Sequence, residues 1–114
     1  MEGFSCGLEA AVQVIGGKWK VLILWELRDG VRRFGELRRA LPGISEKMLT
    51  QQLRELEADE VVEREVYREV PPKVEYGLTE LGVSLNDALL PLGDWGDAHM
   101  AHIVALRTPA PPAG

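Results

Sequence analysis

Apolar residues recur along this chain in five helical stripes and one alternating stretch, and these set the order of the elements. In residues 7–15, Leu8, Ala11, Val12 and Ile15 follow a helical spacing that Gly16-Gly17 ends. Residues 18–28, KWKVLILWELR, are apolar on nearly every side and fit a buried strand or a buried helix by pattern. Their length of about three turns favours a helix, with Trp19 and Trp25 as core anchors. Asp29-Gly30 marks a turn, residues 31–34 read as a short strand, and residues 35–41 as a helix with Leu37 and Leu41 one turn apart. Pro42-Gly43 breaks the chain before a further helix, on which Leu49, Leu53 and Leu56 face a core shared with Leu37 and Leu41. Residues 61–70 and 73–79, separated by Pro71-Pro72, carry a hairpin signature. The facing of its first strand stays open, because both sides mix apolar and charged residues. Thr79 then caps a last helix with a stripe of Leu81, Leu85, Ala88, Leu89, Leu92 and Trp95, which Pro91 should kink.

The polar side of the fourth helix changes the picture. Ser45 is placed to accept a bond from an unpaired backbone N–H, and Glu46 suits the positive end of the helix dipole. Opposite the leucines stand Lys47, Thr50, Gln51 and Arg54. A row of this kind is ordinary on a solvated face. It is also apt for a DNA major groove, where Gln and Arg each bond two base-edge atoms and Lys and Thr reach phosphates or single acceptors. Arg68 and Lys73 flank the hairpin tip, as ordinary surface charges or as contacts to phosphate or the minor groove.

Charge sharpens this reading. The chain of 114 residues carries a formal charge of −5, yet residues 16–56 hold nine basic side chains against five acidic ones, or +4, leaving −9 elsewhere. The basic part coincides with the candidate reading element, as an electrostatic footprint requires.

Length and composition suit a single globular domain over residues 1–106, followed by a Pro-rich tail at 107–114 expected to be disordered. No apolar run approaches the ~20 residues of a membrane span, and no secretory signal is recognisable. With Cys6 the only cysteine, an internal disulfide is excluded and a cytoplasmic location is expected. His99 and His102 lack a third ligand, so neither a metal nor a cofactor is expected. Nothing resembles a nucleophile with its base, a phosphate loop or a paired acid and base, which argues against an enzyme.

In sequence, these elements make a winged helix-turn-helix: mainly α with a small β-hairpin wing (α+β). The chain resembles the HxlR-type bacterial transcription regulators through IGGKWKVLILWEL at 15–27, RRFGELRRALPGISEKMLTQQLRELE at 32–57, VPPKVEYGLTELG at 70–82, and Cys6 followed by LEAAVQVIGG. The resemblance covers about residues 6–96. It implies a homodimer in which the N- and C-terminal helices pair, through Leu8, Val12, Leu85, Leu89, Leu92 and Trp95. Two recognition helices would enter successive major grooves of double-stranded DNA at an inverted repeat. Carried over residue by residue, Ser45, Lys47, Thr50, Gln51 and Arg54 would contact bases or phosphates, Arg68 and Lys73 the wing's groove, and Lys18 and Arg38 phosphates. Cys6 stands where some members sense oxidants or electrophiles; a quiet structural thiol is the alternative, and a small-molecule effector is a further expectation. Two residues depart from the pattern. Glu60 replaces the glycine usual at the exit of the recognition helix, and Gly7 the proline that commonly follows the cysteine. A rival reading is a winged-helix protein-interaction module without DNA binding, which loss of the basic face would mark.

Overall fold

The computed structural model describes residues 3–108. They form α1 (Gly7–Ile15), α2 (Lys18–Glu26), α3 (Phe34–Ala40), α4 (Glu46–Ala58), β1 (Val62–Tyr67), β2 (Lys73–Leu78) and α5 (Glu80–Arg107). This is a winged helix-turn-helix, with helix ends only a residue or two from where the pattern put them. Left-handed Gly17, at φ +88°, lets α2 start immediately after α1.

One expected element shrinks. Instead of a strand over residues 31–34, only Arg32 pairs, exchanging backbone bonds of 2.9 and 2.8 Å with Tyr76 of β2. Phe34 already opens α3, and the Glu36 carboxylate accepts from the Arg33 N–H at 2.9 Å. That helix start draws the chain out of extended pairing after one residue.

The core is built from Ile23, Leu24 and Leu27 around α2, Leu37 and Leu41 around α3, Ile44, the α4 leucines 49, 53 and 56, then Val61, Val62 and Leu89. Trp19 packs partly against it. Trp25 does not anchor it: this ring is 38% exposed, and the Arg28 guanidinium lies 4.3 Å over it. An all-round apolar helix leaves unsaid which residues face outward. Here Leu22 and Trp25 do.

The hairpin register is Val62↔Leu78, Arg64↔Tyr76 and Val66↔Val74 on one face, with Glu63↔Gly77, Glu65↔Glu75 and Tyr67↔Lys73 on the other. Its base is tied to both flanking helices. α4 ends with Val61 N–H on the Leu56 carbonyl (3.1 Å) and Glu60 N–H on that of Glu57 (2.9 Å), a paired closure that needs a left-handed residue at position 60. Glu60 supplies it at φ 61°, although it is not glycine. The Thr79 hydroxyl donates to the Glu60 carbonyl (2.6 Å) and accepts from the Gly82 N–H (3.0 Å), so one side chain joins the exit of α4 to the start of α5. At Gly82 a Cβ would sit 2.0 Å from the Val61 oxygen; only glycine admits this approach. Deeper in, buried Asn86 donates to the Leu24 carbonyl at 2.7 Å, pinning α5 to α2.

Beyond Leu89, α5 leaves the body. Its 28 residues span ~42 Å, and its buried residues, Gly82, Asn86 and Leu89, all lie in the first half. α5 continues as helix across Pro91. The overhang accounts for a radius of gyration of 17.1 Å, against ~13 Å for a compact domain of this length. Arg107 is the last residue of α5 rather than the first of a tail, Thr108 caps that helix, and the other tail positions, 109–114, lie outside the described residues. Among the described residues, no helix is long and apolar enough to cross a membrane.

Candidate nucleic-acid interface

α4 is held from behind and open in front. The Ser45 hydroxyl accepts the Met48 N–H at 3.0 Å, fixing the first turn, while Leu49, Leu53 and Leu56 are sealed into the core. On the free side Lys47, Gln51 and Arg54 are exposed and Thr50 half-buried; with Glu46 and Glu55 they line one shallow concave strip. The Thr50 hydroxyl donates to the Glu46 carbonyl at 2.9 Å, so towards a ligand it offers its lone pairs and its methyl group.

Two carboxylates on this strip would repel phosphate, and each meets a cation from another helix. Glu46 faces Arg38 of α3 at 3.7 Å, and Glu55 meets Lys20 of α2 at 2.8 Å. The Lys20 ammonium, through its hydrogen bond and its charge, holds the Glu55 carboxyl below the usual carboxylate range. Among the described residues Lys47 and Arg54 have no such partner, so the strip stays net basic where it is most exposed. The Lys20–Glu55 pair was invisible in the sequence, because nothing local links residues 35 positions apart. Arg38 is half-exposed beside Glu46, and Lys18 is exposed with its ammonium 4.5 Å over the Trp19 ring.

The hairpin is basic at its tip and acidic on one face. Lys73 lies 4.4 Å over the Tyr67 ring, and exposed Arg68 follows β1. Arg64 reaches Glu57 at 3.6 Å, fastening the hairpin to α4. On the other face Glu65 stands directly across from Glu75. A hydrogen bond to the Glu75 carboxylate, with lost hydration and the Glu65 charge, pushes the Tyr67 hydroxyl up to about 12.

The residues assigned to a subunit surface divide. Leu8, Val12, Leu92 and Trp95 are 74%, 49%, 57% and 57% exposed. Leu89 is not among them: it lies in the chain's own core, with Leu85 packed against it, because the apolar stripe of α5 is wide enough to serve two surfaces. Cys6 is a free, exposed thiol in the capping position of α1, where its side chain makes no capping bond. His99 lies against Trp95, ring centres 4.8 Å apart. Among the described residues no three His, Cys, Asp or Glu side chains gather as a metal site.

A capped second helix with a net-basic outer strip, a short turn before it and a hairpin after it together define a winged helix-turn-helix protein. The chain belongs to the HxlR-like helix-turn-helix family, whose profile matches residues 14–104. It is 51% identical over 103 residues to YdeP of Bacillus subtilis (strain 168), an uncharacterized HTH-type transcriptional regulator, covering 90% of this chain and 80% of that one. Among solved structures it is similar to the redox regulator HypR in its reduced form, with TM-score 0.83, 48% identity, and 88% and 99% of the two chains covered. It is also similar to the reduced form of the transcriptional regulator YodB from B. subtilis, with TM-score 0.73, 42% identity, and 82% and 93% covered.

Proposed function

We propose that this protein is a transcriptional regulator that binds double-stranded DNA sequence-specifically, as a homodimer on an inverted-repeat operator. The observation that carries this reading is the outer strip of α4: Lys47, Gln51 and Arg54 exposed on a helix whose back is fixed in the core, with neighbouring carboxylates neutralised from α2 and α3. Gln51 and Arg54 read base edges, while Lys47, Lys18, Arg38 and the Ser45 turn meet phosphates. Arg68 and Lys73 place the hairpin beside the minor groove. Two-fold symmetry sets half-sites about one helical turn, ~34 Å, apart. No catalytic step belongs to this function. A single domain that runs through Arg107, the last residue of α5, and action in the cytoplasm complete it.

The second subunit covers α1 and outer α5, whose apolar side chains a single chain leaves in water. Cys6 provides a thiol input: its side chain is exposed at the N-terminal cap of α1, and HypR and YodB, to which the chain is similar, are a redox regulator and a regulator solved in reduced and diamide-treated forms. With one cysteine per chain, the modification is an intersubunit bond or an adduct.

The test is binding to DNA upstream of the protein's own gene against random DNA of equal length, at two salt concentrations, with Cys6 reduced or treated with diamide. Specific binding is expected, altered by diamide in the wild type and unaltered in Cys6→Ser. Gln51→Ala or Arg54→Ala should relax one base position per half-site at ~1–3 kcal/mol. Lys73→Ala should weaken all sequences alike and lower the salt slope by about 1. Failure on this DNA and in a genome-wide fragment selection would overturn the reading in favour of a protein-interaction module.

A further inference from the structure

Of the two acidic residues on the reading strip, one is faced loosely and the other is clamped. Glu46 lies 3.7 Å from Arg38, and the two side chains are 72% and 50% exposed. Glu55 lies 2.8 Å from the ammonium of Lys20, whose side chain is only 12% exposed. An exposed pair at the longer distance fixes little, whereas an ammonium drawn out of water onto one carboxylate oxygen holds that carboxylate in place. Lys20 comes from α2 and does not itself line the strip. Gln51 does, one turn before Glu55 on the same helix. Side chains at that spacing meet, and donation from the Gln51 amide adds a small part to the lowering of the Glu55 carboxyl by Lys20. A side-chain amide has two N–H donors and one carbonyl oxygen. With one N–H given to the carboxylate, one donor and one acceptor remain for a base edge. Adenine presents their complement, N7 to accept and N6–H to donate, while guanine presents two acceptors, N7 and O6. A free amide can turn towards either purine; an anchored one cannot.

We propose that Glu55, clamped by Lys20, is a positioning residue that turns the Gln51 amide towards adenine and away from guanine. Glu55 acts through Gln51 and touches no base, and Lys20 acts through Glu55 and touches no phosphate. A carboxylate on a DNA-facing strip weakens attraction to every sequence. Its effect on Gln51 is of another kind, because it changes which sequence is preferred. The adenine preference rests on the DNA-binding function above; the pairing of Glu55 with Gln51 does not.

Nuclear relaxation of the Gln51 side-chain amide in the free full chain tests the pairing without DNA. The amide should be ordered in wild type and in Glu55→Gln, which keeps an acceptor oxygen, and mobile in Glu55→Ala. Equal mobility in all three would overturn the proposal. The second arm uses the operator recovered by the fragment selection above. There the base that Gln51→Ala relaxes should be adenine, and 7-deaza-adenine at that position, which lacks the N7 acceptor, should weaken wild-type binding about tenfold. In Glu55→Ala that preference should fall below about threefold, yet random DNA should bind at least about twofold more tightly, because a negative charge has left the strip. Glu55→Gln should gain on random DNA in the same way and keep the preference. The opposite signs separate positioning from a role in folding or in charge alone, each of which moves operator and random DNA together. A relaxed base other than adenine, a Glu55→Ala preference equal to that of wild type, or an equal loss on operator and random DNA would overturn the assignment. Recovery of no operator at all would overturn the DNA-binding reading and the adenine preference with it, and the amide relaxation would still decide the pairing.

Discussion

The inner and outer parts of this molecule both carry large apolar side chains, and the fold covers only the inner ones. Around α4, Leu37, Leu49, Leu53 and Leu56 are at most 1% exposed, each covered by side chains of the same chain. Along α1 and outer α5, Leu8, Leu92, Trp95, Val104 and Leu106 are 57–74% exposed, and only Val14 and Ile15 at the end of α1 pack partly against the core. Backbone order is therefore no sign that a helix has found its packing partner. The inner half closes within one chain; the outer half leaves its large apolar side chains exposed.

The sharpest way to break that contrast is to cut one leucine from each half. Leu53→Ala should cost ~2–5 kcal/mol in denaturant unfolding, the penalty of a cavity in a sealed core. Leu92→Ala should change the stability of the monomer by no more than ~0.5 kcal/mol. Combined with Trp95→Ala, it should weaken self-association by ~2 kcal/mol or more, read by sedimentation. Equal unfolding penalties at Leu53 and Leu92 would erase the distinction. At the junction of the halves, Gly82→Ala forces a methyl against the Val61 carbonyl, and ~1–3 kcal/mol of stability should be lost.

Smaller changes sharpen the picture. Glu60→Gly relieves a left-handed non-glycine residue, and thermal unfolding should report a gain of ~0.5–1 kcal/mol. The faintest signal is a pH dependence. Lys20 holds the folded Glu55 carboxyl below its ordinary 4.5, so the pair's contribution is present above that value and fades as pH falls below it through the folded value. The urea midpoint of Lys20→Met should therefore trail wild type at pH 7 and converge on it in acid. A constant offset across pH would assign Lys20 a packing role alone.

Local signals in the sequence carried much of this. Ser45 and Thr79 announce helix starts and cap them, and the leucine spacing of α4 says which side is buried, hence which side is free. What stayed hidden depends on other parts of the chain. The α2 run is apolar all round, so periodicity could not turn Trp25 outward. The α5 stripe combines residues for two surfaces, and only the fold separates Leu85 and Leu89 from Leu92 and Trp95. Asn86 carries no sequence signal of burial, yet it is buried on the Leu24 carbonyl. The residue type at position 60 gives no mark of a left-handed backbone; only the glycine usual there in the resembled family points to one. Neither acidic neighbour of the reading strip shows in the sequence which cation will neutralise it.

The Thr79 hydroxyl, bonded at once to the exit of the reading helix and the first turn of α5, fixes the root of that long helix. Asn86 and Leu89 hold it to the body further on, so the free arm is residues 90–107, ~27 Å long. A sideways shift of ~4 Å at its far end is a rotation of about 8° about Leu89, a ratio set by how many residues the free arm contains.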